Sequence, residues 1–140
     1  MSKAPPLAPD AAMVLGIAAT AIPFARTPED EAERWLRLLR LHGEVGAALQ
    51  GLGVSEDSLR VHSKEAVDGE RFAEAVNPEH RDVIALVSEH AARVAVERGA
   101  AGIGTIDVLM AVMEVYGTVF ERALQAHGTD ADEVLERLAA

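Results

Sequence analysis

The sequence predicts an all-α protein, and three observations predict it. No segment alternates apolar and polar residues over five or more positions between turn signals, the pattern a half-buried strand requires. The apolar residues, 49% of the 140, are mostly Ala, Val and Leu, with only one Trp, one Tyr and three Phe. That composition favours closely packed helices over a β-sandwich. Helix starts and stops also recur along the chain, with capping residues at one end and glycines at the other. At this length one domain is expected, burying roughly two-thirds of the surface its unfolded chain exposes.

Residues 1–9, with Pro5, Pro6 and Pro9, read as a flexible arm. Ala11 to Phe24 is the most apolar stretch, shorter than the roughly 18 to 20 residues of a membrane span. Lys3 and the Ala19-Thr20-Ala21 triplet give it some features of a signal peptide. A buried helix is the better reading, with Asp10 abutting the run and Met13, Ile17 and Phe24, together with Val14 and Ala21, as its core face. Thr27-Pro28-Glu29-Asp30 then starts a second helix: a capping Thr, Pro at the first helical position and acid in the first turn. It is expected to run to about Leu41, burying Trp35, Leu38 and Leu39 and exposing Arg34, Arg37 and Arg40 as a solvated face beside Glu29, Glu31 and Glu33. Gly43 to Gly51 makes a short third helix. The periodicity weakens over 61–77, which reads as a joint with room for one short helix through Phe72 and Val76. Asn77-Pro78-Glu79 caps the longest helix, about Pro78 to Arg98, with Val83, Leu86, Val87, Ala91, Val94 and Ala95 as its stripe.

Gly99, Gly102 and Gly104 break the chain before the next apolar run. Thr105 is placed to accept from the free N–H groups of the helix that follows, and Asp107 in its first turn suits the helix dipole. Thr118 and Glu121 have capping-box spacing, and Gly128 stops the helix they start. Asp130 and Glu133 repeat the spacing at the last helix, which carries Val134, Leu135 and Leu138 inward.

The chain carries an internal echo. Ala48-Leu49-Gln50-x-x-Gly53 matches Ala123-Leu124-Gln125-x-x-Gly128 about 75 residues later, and Ser55-Glu56-Asp57 answers Asp130-Ala131-Asp132. Trp35, Leu38 and Leu39 fall where Leu109, Val112 and Met113 fall once one residue is removed from the joint near His42-Gly43. An internal duplication is expected.

Ile103-Gly104-Thr105 with the apolar run behind it, followed by A-L-Q-A-H-G, resembles the repeat of the Clp chaperone amino-terminal domain, roughly I-G-T-E-H-L-L-L-A-L, a short joint, then A-x-x-x-L-x-x-x-G. The resemblance spans residues 10–140, as copy one (about 10–60), the joint (61–77) and copy two (about 78–140). Copy one keeps the A-L-Q-x-x-G ending and lacks I-G-T. The resemblance implies two four-helix repeats related by a pseudo-twofold and packed as one compact domain.

Chemistry is poorly supported by the residues. The formal net charge of -10 argues against a nucleic-acid surface, which needs clustered Lys and Arg. There is no cysteine, hence no disulfide, thiol nucleophile or thiolate zinc site. His42, His62, His80, His90 and His127 form no H-x-x-x-H pair, and no metal or cofactor is expected. G-A-A-G-I-G-T lacks the lysine of a phosphate-cradling loop, and no G-x-S-x-G occurs. The expectation is a non-enzyme in the cytoplasm.

In the family the domain recruits substrates or adaptor proteins to an unfoldase motor. Without the ATPase motif, the resemblance implies a freestanding binding module whose partners are a Clp ATPase, its adaptors or its substrates. A decoy that sequesters a peptide-like ligand or antibiotic aimed at a Clp ATPase is an alternative, and a helical regulatory domain without a Clp connection is another. Some family members bind phosphoarginine through the Glu of G-T-E-H. Copy two has Ile106 at that position, between Thr105 and Asp107, and in copy one the register places Glu33 or Ala32 there, with Glu31 close by. Ligand contact is therefore expected at Glu33, Thr105, Ile106 and Asp107, with phosphoarginine bound weakly or not at all.

Overall fold

The computed structural model describes residues 5–54 and 83–139. Seven α-helices account for most of them, and no strand forms among the described residues. They are α1 (Pro9–Ala21), α2 (Pro28–Arg40), α3 (Gly43–Gly51), α4 (Val83–Arg98), α5 (Thr105–Tyr116), α6 (Thr118–Ala126) and α7 (Ala131–Ala139), with a 3-10 turn at Ile22–Phe24. The expected joint at 61–77 and the first turn of the helix expected from Pro78 lie outside the described residues.

The strongest start signal forms as the residues dictate. Thr27 Oγ1 accepts the Asp30 N–H at 3.0 Å, and Asp30 Oδ2 accepts the Arg26 N–H at 3.2 Å. The first bond satisfies an N–H freed by the helix start, and the second holds the chain that enters it. From this fixed start α2 presents Ala32, Trp35, Leu36 and Leu39 to the core, all buried. Leu38, expected inside, is only half-buried and Leu36 takes the deeper place, a shift of the buried arc toward the helix start. Arg34 is held by Asp30 Oδ1 and the Ala21 carbonyl, so that part of the arginine face also ties α2 to α1.

The A-L-Q-x-x-G segments close identically. The Val54 N–H bonds the Leu49 carbonyl at 3.0 Å and the Gly53 N–H bonds that of Gln50 at 3.1 Å; Thr129 to Leu124 and Gly128 to Gln125 are both 3.0 Å. Gly53 and Gly128 have φ of 91° and 92°, the left-handed conformation that ends helices and that favours glycine. The turn drives Leu49 and Leu124 inward, each fully buried.

Helix packing is reciprocal: α1 packs on α2 as α4 on α5, α2 on α3 as α5 on α6, and α2 on α6 as α3 on α5. α2 also meets α5 directly, while α7 lies against α3. One continuous core results, with Trp35, Phe120, Ile22, Leu36, Leu39, Leu49, Leu109 and Leu124 the largest sealed side chains among the described residues.

Five expectations are corrected. The core face of α1 is Ala11, Val14, Leu15 and Ala18, continued by Ile22, while Met13, Ile17 and Phe24 are 53%, 37% and 69% exposed. The run is apolar on every side, so its periodicity selects no face; packing selects the arc with two alanines, which lets neighbouring helices approach closely. Leu86 on α4 is likewise outside the buried stripe, 42% exposed. Residues 6–8 are pinned rather than free, because Ile103 N–H donates to the Pro6 carbonyl and Ala8 N–H to the Ile103 carbonyl. At α5 the cap is Gly104, not Thr105, and the Asp107 carboxylate accepts the Gly104 N–H at 2.9 Å. At α6 the Thr118–Glu121 box does not form; Gly117 is the cap, and Glu121 reaches the Ala131 N–H at the start of α7. Asp130 does cap α7, accepting the Glu133 N–H at 2.8 Å.

Candidate functional site

The I-G-T turn places its polar residues under the surface. Asp107 is fully buried and meets Arg98, at the end of α4, through two hydrogen bonds: Nε to Oδ1 at 2.8 Å and Nη2 to Oδ2 at 2.9 Å. Oδ2 also takes the Gly104 N–H. The carboxylate hydrogen bond raises the Arg98 guanidinium above its ordinary value, against an opposing effect of burial. Thr105 is buried beside Gly43, where a β-carbon would lie 2.7 Å from Thr105 Oγ1 and 2.6 Å from Asp10 Oδ2. Gly43 has a φ of 64°, so both its backbone and its surroundings require glycine, and the absence of a side chain lets α1, α3 and α5 meet. Ile106 is half-buried and packs against the core.

Glu33 is buried in α2, 2% exposed, with its Oε2 2.6 Å from His127 Nε2 at the end of α6. Its Oε1 has no hydrogen-bond partner among the described residues. No hydrogen bond or ion pair joins Glu33 to Thr105 or Asp107 among those residues, so the four expected contact residues form two separate internal clusters. A third cluster links α2 to α5: Trp35 Nε1 donates to Tyr116 Oη at 3.0 Å, and that hydroxyl donates to Glu31 Oε1 at 2.6 Å. Burial raises the Tyr116 phenol, and the Glu31 carboxylate raises it further by holding its proton. The signal for these pairings was present as acids on the buried arcs of α2 and α5, but their partners lie 9 to 94 residues away in sequence.

The outside of α1 offers a different surface. No charged residue occurs from Ala11 to Ala25, and Met13, Ile17 and Phe24 stand exposed along that side. No helix among the described residues is long and apolar enough to cross a membrane. No group of three or more His, Asp or Glu side chains among them converges as metal ligands would. The buried acids are already engaged by Arg98, His127 and Tyr116, whereas the outside of α1 presents exposed apolar side chains. No family model, curated protein or solved structure matches the chain.

Proposed function

We propose that the chain is a non-catalytic protein-binding module of the Clp protease and chaperone system, a double Clp repeat that recruits, or competes for, substrates or adaptors. The observation that carries this reading is the matched closure of the two A-L-Q-x-x-G helices, in hydrogen bonds, glycine conformation and leucine burial. The reciprocal packing of α1, α2 and α3 with α4, α5 and α6 supports the pseudo-twofold arrangement of the repeat family. The charge-free flank of α1 is suited to an apolar segment of the partner. Buried and internally paired, Asp107 supports the start of α5 in this reading and Glu33 ties α2 to the end of α6 through His127, with Ile106 the nearest of the expected residues to an open surface.

The test is co-purification from a lysate of the source cell, using the wild-type chain and a variant with Met13→Ser, Ile17→Ser and Phe24→Ser. A Clp ATPase, its adaptors or its substrates should be retained by the wild type and lost with the variant. Their absence at high bait concentration would instead favour a helical regulatory domain outside the Clp system.

A further inference from the structure

The last turn of α3 holds a glycine with no backbone reason to be there. Gly51 lies inside a regular helix and is not left-handed, and the matched position in the second A-L-Q-x-x-G segment is Ala126. Glycine at such a position costs about 0.5 to 1 kcal/mol relative to alanine. What occupies the space is Arg137 of α7. A β-carbon on residue 51 would lie 2.5 Å from Nη2, 2.8 Å from Cζ and 3.0 Å from Nε of that guanidinium. The arginine thus rests directly against the α3 backbone, and its guanidinium makes no hydrogen bond or ion pair among the described residues.

Beside it an open cleft of about 320 Å³ runs between α3 and α7, lined by Glu44, Ala47, Ala48, Arg137 and Leu138. Arg137 stands at the Gly51 end and Glu44 seven residues back along α3, roughly 10 Å away at 1.5 Å per residue. Ala47, Ala48 and Leu138 make an apolar floor between the two charges.

We propose that this cleft binds the carboxyl terminus of a peptide. The terminal carboxylate accepts from Arg137, the last side chain lies on the alanines and Leu138, and a basic side chain at the preceding residue reaches Glu44. A guanidinium presents paired donors to a carboxylate in one plane, and a spread of opposite charges selects the direction of the bound chain. The volume holds one to two residues, at the lower end of small-ligand sites. This inference deepens the protein-binding reading given above and rests on it for the class of ligand.

The experiment titrates isotope-labelled protein with acetyl-Ala-Lys-Leu, as free acid and as carboxyl-terminal amide, and follows backbone amide shifts by NMR. The free acid should move the amides of Ala47, Ala48, Arg137 and Leu138, and the amide form should bind at least tenfold more weakly. Arg137→Gln and Gly51→Ala should each weaken the free acid at least tenfold. Gly51→Ala should do so without lowering the thermal midpoint, which separates loss of the site from loss of the fold. Equal binding of acid and amide, unchanged binding by Arg137→Gln, or no shifts at millimolar peptide would each overturn the proposal. No Clp protein is involved in this titration. Peptide binding without Clp co-purification would remove only the Clp assignment, and the converse would remove only the cleft.

Discussion

Asp107 lies sealed beneath Arg98, held by two hydrogen bonds of 2.8 and 2.9 Å, while Arg98 itself remains 40% exposed on its side chain. The two partners therefore differ in what their loss would leave behind. Removing the arginine strands a buried carboxylate; neutralising the aspartate leaves a cation that can turn to water. Arg98→Ala should cost about 2 to 4 kcal/mol, less than a fully enclosed pair because water enters the gap. Asp107→Asn keeps the shape and can still accept from Gly104, so it should cost about 1 to 2 kcal/mol. Urea denaturation of both variants checks the order, and a larger loss for Asp107→Asn would contradict it.

Leu49 and Leu124 occupy matched places, each one residue into a segment that closes on a left-handed glycine, and each is fully sealed. Leucine-to-alanine changes at such positions cost roughly 2 to 5 kcal/mol, through lost transfer energy and the cavity left behind. Both variants should fall in that range by chemical denaturation. A nearly neutral result at either position would remove the equivalence between the two segments.

The helices of this chain were legible because their ends are written locally. Thr27-Pro28-Glu29-Asp30, Gly43, Gly53 and Asp130 mark boundaries that the structure keeps, and the buried stripe of α4 was read correctly apart from Leu86. The face of α1 was not legible, since a run apolar on every side has no preferred arc until its neighbours choose one. The fate of the expected contact residues was hidden for another reason. Nothing near Asp107 in sequence says that Arg98 will turn back over it, and nothing near Glu33 announces His127. A carboxylate at a helix start looks the same in sequence whether it faces a ligand or an internal partner.

Tyr116 provides a test against pH. Its phenol is raised in the folded chain by burial and by the Glu31 hydrogen bond, whereas in the unfolded chain it titrates near the ordinary value of about 10. Above that pH the unfolded state has released its proton and the native state has not, so the native state binds more protons and stability falls as pH rises. This one group should remove about 1.4 kcal/mol per pH unit once the unfolded phenol is ionised. Tyr116→Phe should lose that slope. At neutral pH it should also be less stable by about 1 to 3 kcal/mol, since Trp35 Nε1 and Glu31 lose their shared partner. Denaturation midpoints from pH 8 to 11 for both proteins measure the two effects. Parallel curves would mean that the hydroxyl is not held as described.

Phosphoarginine binding tests the ligand position that the proposed Clp resemblance implies. A guanidinium needs an available carboxylate, and a phosphoryl group needs free donors at a helix start. In the proposed second copy Ile106 stands where the resemblance places an acid, and the adjacent Asp107 is fully buried with both oxygens engaged by Arg98 and Gly104. In the proposed first copy Glu33 is 2% exposed, with one oxygen on His127, and Ala32 is fully buried. Recruiting Glu33 would require opening the contact between α2 and α6, and Ile106 offers no charge at all. Losing a single charge-assisted hydrogen bond costs about 1.5 to 3 kcal/mol, or roughly ten- to a hundredfold in affinity. Free phosphoarginine should therefore show no micromolar binding by titration calorimetry, and Ile106→Glu alone should restore little, because the neighbouring Asp107 and the α5 start stay closed. Micromolar binding at two equivalent sites in the wild type would show that these helix starts open in solution and that Glu33 and Asp107 face a ligand after all.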